Sequence, residues 1–144
     1  MDERKGNTRT RGQAARGRRM NESNLSAIVE TIPHVNVVID NDGLIRLVRG
    51  DLVTHAGARP GRKLSDVLRS HSVRVLHDGR EPDNGLAHER ALGGEVARAQ
   101  LLYLRSRTGT SGVILAMGAC PVRDALGRIV GAALRTESIT LVRS

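Results

Sequence analysis

Aromatic side chains are almost missing from this sequence: Phe and Trp are absent, and Tyr103 is the only Tyr. A core must therefore be packed from Val, Leu, Ile, Ala and Met. The shortage argues against binding of single-stranded nucleic acid by base stacking, because stacking needs exposed aromatic rings. It argues equally against a flavin pocket with aromatic walls.

Cysteine and long apolar runs are also scarce. Cys120 is the only cysteine, which excludes an internal disulfide and a zinc site built from cysteines. No apolar run approaches the roughly 20 residues of a membrane-spanning helix, and the N-terminus is too polar for a secretory signal peptide. We therefore expect a cytoplasmic protein, and its 144 residues suffice for one domain of ordinary size.

Positive charge is concentrated at the N-terminus. Residues 1–19 hold seven basic and two acidic side chains, in a chain of net charge +8. Because this segment has almost no apolar residues to bury, we predict a disordered basic tail over residues 1–22. As an electrostatic arm it would bind nucleic acid or an anionic membrane surface. As a solvated linker, or as a leader upstream of a natural start at Met20, it would have neither role.

The first ordered elements are predicted from spacing. Four apolar residues recur at i, i+3, i+4 and i+7, which predicts a short amphipathic helix; they are Leu25, Ile28, Val29 and Ile32. Ser23 or Asn24 can cap its start, and Pro33 ends it. Two β-rich runs follow at 35–39 and 44–48, and the Asp-Gly turn between them predicts a hairpin.

The rest of the chain has two parts that differ in residue pattern. Between residues 50 and 94 Gly and Pro recur every few residues, and the short apolar clusters predict three or four short helices, one of them around Val73 and Leu76. Strands are predicted at 96–105, 113–120 and 129–136, joined by turns at 106–112 and 123–127. The fold class is therefore α+β: a five-stranded antiparallel sheet with short helices packed on one face.

Several ordered motifs carry a family resemblance. They are residues 27–40 followed by Asp42-Gly43, GRKLSDVL at 61–68, DGREP at 78–82, ERALGGEV at 89–96, and ACPVRDALGRIVGA at 119–132. Over roughly residues 24–140 the chain resembles a PAS domain, the small sensory module of bacterial signalling proteins. The predicted domain spans 23–140, and residues 141–144 form a C-terminal stub.

The chain departs from the family pattern at two places. Arg49 stands where many members have Asn, and Ser138-Ile139-Thr140 replaces the usual closing Asp-Ile-Thr. Only four residues follow Thr140, so we expect no kinase, phosphatase, cyclase or DNA-binding domain in this chain. It is either a free-standing sensor or adaptor, or a fragment of a longer protein.

The resemblance implies a ligand pocket between the sheet and the short helices, where family members hold haem, flavin, other small molecules or nothing. The residues expected to line it are Leu52, Leu64, Val67, Leu68, Leu86, Leu115 and Met117. The alternative is that the same side chains simply fill the core. No cofactor is evident from the residues; haem and a fatty acid stay open. Flavin is disfavoured, because Cys120 lies in a strand beside Pro121 rather than on the helical side.

Haem would require an axial ligand, usually a histidine on a helix that faces an apolar pocket. His88 and then His71 lie in the appropriate region, although a helical histidine is more often a surface or hydrogen-bonded residue. No pair of histidines has a metal-ligand spacing, so no metal site is predicted.

Catalytic motifs are also missing. The chain has no phosphate-binding loop and no Gly-x-Ser-x-Gly elbow, and its aspartates mostly occupy turns or helix starts. We therefore expect a protein that is not an enzyme.

Self-association is the second role that the resemblance implies. The predicted dimer surface combines the stripe on the first helix (Leu25, Ile28, Val29 and Ile32) with Leu102 and Leu104, taken from an apolar run at 101–104 whose side chains must point to both faces of the sheet. The stripe either packs on the chain's own sheet or on a partner.

The expected function is that of a sensor or adaptor. It would bind a small apolar ligand or a partner protein, and pass a signal to an effector through homodimerisation. Two alternatives stay open: a ligand-free dimerisation scaffold, and a nucleic-acid-associated protein that uses residues 1–19.

Overall fold

A computed structural model describes residues 20–76, 85–106 and 111–143. Along the chain the elements are α1 (Glu22–Thr31), β1 (Val37–Asp40), β2 (Ile45–Val48), α2 (Asp51–Ala56), α3 (Leu64–Ser70), β3 (Arg74–Val75), α4 (Ala87–Leu92), β4 (Ala97–Arg105), β5 (Ser111–Arg123) and β6 (Ile129–Arg143). The tail at 1–19, the motif at 78–82, most of the turn at 106–112 and Ser144 lie outside the described residues.

The predicted α+β fold is confirmed, but the number of strands is not. Within the described residues, six strands form one antiparallel sheet in the order β2-β1-β6-β5-β4-β3. The extra strand is β3, which pairs with Tyr103 and Leu102 of β4. The helix predicted around Val73 and Leu76 is therefore wrong.

A reversal of the chain after α3 explains this strand. Ser72 has a φ of 50°, in the left-handed region. The His71 carbonyl accepts a hydrogen bond from the Arg105 backbone N–H (2.8 Å), and the Leu76 N–H donates to the Leu101 carbonyl (2.8 Å). The segment is thus held along the edge of β4, where its apolar residues serve a strand rather than a helix.

Two of the three predicted turns have the expected chemistry. Asp40 Oδ1 accepts hydrogen bonds from the backbone N–H groups of Asp42 and Leu44, which closes the β1–β2 hairpin. Asp124 Oδ1 accepts from the N–H groups of Leu126 and Arg128 and closes the β5–β6 turn. These side-chain acceptors replace backbone partners at a tight reversal.

The sheet has a hydrophobic core on each face. Alternate residues of a strand point to opposite faces. Val37, Ala132 and Leu134 face the core beneath α2, α3 and α4. Val38 and Ala133, one position along, face a smaller core with α1. The short helices α2 to α4 lie on one face as predicted, and α1 packs on the other.

Helix α1 begins two or three residues earlier than the predicted cap at Ser23 or Asn24 implies. Asn21 is the N-cap, and its side chain and that of Asn24 each accept a hydrogen bond from the other's backbone N–H. Met20 is buried in the smaller core, and its carbonyl accepts a hydrogen bond from Arg46 Nη1 (2.6 Å). Met20 and Asn21, which fall within the predicted tail over residues 1–22, thus pack on the sheet and cap the helix.

Just before β1 begins, side chains continue the hydrogen bonding along β6. Asn36 Nδ2 donates to the Thr136 carbonyl (2.8 Å), and Asn36 Oδ1 accepts from the Thr136 backbone N–H (3.0 Å). Two residues on, Asp51 Oδ2 accepts from the Ser138 N–H (2.7 Å). Two side chains thus satisfy backbone groups that a neighbouring strand would otherwise pair with.

The position of Gly131 shows how closely β1 and Met20 approach β6. A Cβ on this residue would overlap the Ile39 carbonyl oxygen and lie 2.6 Å from the methyl group of Met20. We therefore predict that Gly131→Ala lowers the free energy of unfolding by about 3 kcal/mol, as overpacking does. Chemical denaturation followed by circular dichroism measures the change.

Gly118→Ala on β5 is the matched control. Its Cβ would meet nothing closer than 3.7 Å, so we expect a change below about 1 kcal/mol. Equal stability of the Gly131→Ala variant and the wild type would contradict the close approach.

Candidate functional site

The residues predicted to line a ligand pocket all lie in the helix-side core. None of the seven is more than 5% exposed, and all belong to one cluster of buried side chains. They are Leu52, Leu64, Val67, Leu68, Leu86, Leu115 and Met117. They thus pack together and against the sheet, as the filled-core alternative expects.

Helix α4 bears directly on the haem hypothesis. It packs against β4, β5 and β6, and Ala87 and Ala91 on its inner side are fully buried. A haem would have to lie between a ligating helix and the sheet. Because small alanine side chains bring α4 into direct contact with the strands, the residues present do not fit a macrocycle in that position.

His88 on α4 is buried and incompletely hydrogen-bonded. The side chain is 2% exposed, and its Nδ1 atom has no hydrogen-bond partner among the described residues. A buried polar atom without a partner costs on the order of 1–3 kcal/mol. His88 therefore places an unsatisfied polar atom in the largely apolar core on this side of the sheet.

Burial also controls the protonation of His88. Desolvation lowers the pKa of the imidazole from 6.5 to about 4; the neighbouring Glu89 carboxylate opposes this shift, and Arg69 adds to it. Burial acts to raise the pKa of Glu89, but the Leu86 N–H hydrogen bond and the charges of His88 and Arg69 outweigh burial and lower it. The ring is therefore neutral at pH 7.

His71, the second haem candidate, has its ring nitrogens engaged. Nδ1 lies 3.1 Å from the Arg105 carbonyl oxygen, and Nε2 lies 3.2 Å from that of Ala56. The residue follows α3 as its C-cap and is 6% exposed. It ties the end of α3 to α2 and β4, and neither nitrogen is directed to a ligand.

The prediction that Leu102 and Leu104 form a dimer surface is wrong. They are 0% and 1% exposed and belong to the helix-side core. Their neighbours Leu101 and Tyr103 are half-buried and point to the opposite face. The apolar run serves both faces as expected, but its outward members are the odd-numbered residues. Periodicity alone did not fix the phase of the alternation.

The apolar stripe of α1 packs on the chain's own sheet. Leu25 and Ile28 are buried in the smaller core. Val29 and Ile32 are half-buried at its margin. Of the two alternatives for this helix, packing on the chain's own sheet or on a partner, the structure shows the first. Val29 and Ile32 nevertheless keep partly accessible side chains.

Beside α1 the outer face of the sheet is open. A trough of about 390 Å³ runs between the α1–β1 connection and the start of β4. Its floor consists of small residues, among them Ala99, Ala116, Gly118 and Ala133, and Val96 at one side is 69% exposed. A sheet face normally carries polar residues if water covers it. This floor instead permits close approach of another surface.

Tyr103 and Ile114 extend the apolar surface beyond the trough. They are register partners on β4 and β5, and both are half-buried. The Tyr103 ring covers the backbone of Gly112, where any Cβ would overlap it. Arg74 lies 6.0 Å from the ring centroid, a cation–π distance. The one aromatic side chain of the protein is therefore fixed on this face.

Charged residues on the trough were missed by the sequence analysis. Arg98, Arg135 and Glu137 line it and are exposed. None of them forms an ion pair with another residue in the described part of the chain. The spacing of Arg135 and Glu137, two residues apart along a strand, is the sequence signal that could have placed two of them on one face.

Cys120 lines the same trough and packs at the margin of the smaller core. It therefore lies on the outer face, away from the helix side of the sheet. No group of three or more potential metal ligands occurs among residues 20–76, 85–106 and 111–143. No helix in that part of the chain is both long and apolar enough to cross a membrane.

Comparison with known proteins bears on the fold. No family model and no curated protein sequence matches the chain. Among solved structures it is similar to a light-oxygen-voltage domain described in connection with a flavin analogue and that domain's mechanism. The two share 17% identity at a TM-score of 0.52, over 84% of this chain and 87% of the other. Light-oxygen-voltage domains have a PAS-family fold, so the chain has a PAS-like α+β fold.

The buried imidazole predicts a pH dependence of stability. The unfolded chain binds a proton on this ring near pH 6.5, and the folded chain only near pH 4. The contribution of neutral His88 to stability is therefore complete above pH 6.5 and is lost as the pH falls towards 4, by up to about 3 kcal/mol.

His88→Leu should remove that part of the pH dependence and leave the protein at least as stable at pH 7.5. Urea denaturation at pH 7.5, 6, 5 and 4.5 measures it, with His55→Gln, at a half-buried position on α2, as the control. Parallel curves for the wild type and His88→Leu would show that the ring does not titrate as described.

Proposed function

We propose that this chain is a PAS-like sensory or adaptor module of the cytoplasm that acts by binding and self-association and not by catalysis. Its PAS-like fold supports this proposal. The observation that carries it is the open outer face of the sheet, where apolar side chains and a trough of small residues stay accessible beside α1. Contiguous apolar surface of this kind is typical of protein–protein interfaces.

Homodimerisation through this face is the central step of the proposal. Leu101, Tyr103 and Ile114 would supply the apolar contacts, with Val29 and Ile32 at the edge of α1. Tyr is among the residues that contribute most at interface centres, because a large side chain is ordered at little entropic cost. An effector protein would then respond to the state of the dimer.

A small apolar ligand such as a fatty acid would enter the helix-side core. Entry requires that α3 or α4 move away from the sheet, since the seven candidate lining residues pack against one another. The filled core also favours the second candidate function, a ligand-free dimerisation scaffold. Bound mass distinguishes the two, because a scaffold carries none.

The flavin named with the light-oxygen-voltage domain is not part of this proposal. Cys120, the only cysteine, faces away from the helix side of the sheet, and the chain has no Phe or Trp to flank a flavin ring.

Native mass spectrometry of the purified protein, repeated after denaturation, tests the proposal first. We expect a dimer; extra mass released on denaturation identifies a ligand, and a dimer of bare chains supports the scaffold. Removal of residues 1–19 should leave the dimer unchanged. Steeply salt-dependent binding of nucleic acid that disappears with the tail would favour the nucleic-acid alternative.

A substitution on the outer face tests the surface itself. Leu101→Glu should raise the dimer dissociation constant at least about tenfold, because an unpaired carboxylate would be buried in the interface. Light scattering over a concentration series measures the constant. Val53→Glu, on an exposed position of α2 across the sheet, is the control and should dimerise normally. Monomeric wild type, or an unaffected Leu101→Glu dimer, would overturn the assignment.

A further inference from the structure

We propose that two copies of this chain pack their outer sheet faces around a two-fold axis near Thr136, with Arg135 of each copy paired to Glu137 of the other. This inference rests on the self-association proposed above and adds its geometry. The occupant of the trough is thus a second copy of the chain, with the same residues contributed from both sides.

The strand positions place these two charges together. Arg135 and Glu137 are exposed on β6, and Thr136 between them is buried. Both side chains therefore leave the same face of the sheet, about 7 Å apart along the strand. Thr136 is fixed from the side by three hydrogen bonds to the Asn36 amide. The backbone that carries the two charges is held firmly.

Neither charge has a partner within the part of the chain that the structure describes. Arg46, Arg69, Arg90 and Arg128 each form an ion pair with a glutamate or aspartate of the same chain. Arg135 and Glu137 form none, although they are neighbours on one strand face. No described residue of the same chain neutralises either charge.

Their surroundings allow another sheet to come close. The register partners on β5 are Gly118 for Arg135 and Ala116 for Glu137. A Cβ on Gly118 would still be 3.7 Å from the nearest heavy atom. At these positions β6 pairs with β5 on one side, and on the other side, beyond the last β1 pair at Leu134, the Asn36 side chain continues the hydrogen bonding. Two such faces can meet over their small residues while the longer charged side chains reach across.

Symmetry selects the second copy as the occupant. In a two-fold interface every contact occurs twice: if residue i of the first copy contacts residue j of the second, then residue j of the first copy contacts residue i of the second. Opposite charges at 135 and 137 satisfy that rule twice, because antiparallel β6 strands place each Arg135 against the other copy's Glu137. A parallel arrangement would oppose like charges. The face is therefore complementary to itself in one orientation.

Charge reversal tests the pairing. Arg135→Glu alone and Glu137→Arg alone should each raise the dimer dissociation constant at least about tenfold, because each creates two like-charge contacts. An equimolar mixture of the two variants should form a heterodimer in which both contacts are restored. Native mass spectrometry resolves it, since the variants differ in mass. The double variant, Arg135→Glu with Glu137→Arg, should dimerise as the wild type does.

Arg59→Glu, an exposed position on the loop before α3, is the control for charge change alone. Urea denaturation of each variant checks that folding is preserved. If Leu101→Glu is monomeric but the charge variants dimerise normally, or if the mixture forms no heterodimer, the pairing is wrong while self-association stands. If the wild type itself is monomeric at every concentration, both proposals fail.

Discussion

The close contact of β6 with both of its packing partners is the constraint on which the rest of the structure depends. Gly131 lets the Ile39 carbonyl and the methyl group of Met20 approach the strand together. From that point β6 sends Ala132 and Leu134 to one core and Val130 and Ala133 to the other. A chain without Phe or Trp obtains tight packing in this way, because small residues bring its layers together where large rings would otherwise fill the space.

This packing leaves the two faces of the sheet differently covered. The helix side is closed, with α4 lying directly on the strands and His88 Nδ1 buried there without a hydrogen-bond partner among the described residues. The outer side is only partly covered, since α1 is ten residues long and the sheet extends beyond it. The features available for binding a partner are therefore on the outer face, whereas a ligand on the helix side would have to displace existing contacts.

The sequence predicted those parts of the fold that depend on local chemistry. The Asp42-Gly43 pair marked the first hairpin turn, residues 123–127 marked the second, and the spacing from Leu25 to Ile32 marked α1, because these signals act within a few residues. The sequence-based prediction failed where pairing between distant strands determines the secondary structure or the orientation of a side chain. Arg74–Val75 became a strand because the edge of β4 was available, and Leu102 and Leu104 turned inward because the register with β5 set the phase of alternation. The candidate site, which depends on the relation between Arg135, Glu137 and α1, could not be predicted from local patterns.

The Asn36 amide on Thr136 has a consequence for how copies of this protein can assemble. Bare backbone groups along a strand edge would accept another strand, and chains joined by their edges can continue indefinitely into fibres. At Thr136 and Ser138 those groups are already occupied by Asn36 and Asp51. Growth by strand addition is blocked there, whereas contact between two faces is complete after a single pair. In the face-to-face pairing proposed above, the same side chains that finish the sheet would favour an assembly that stops at two.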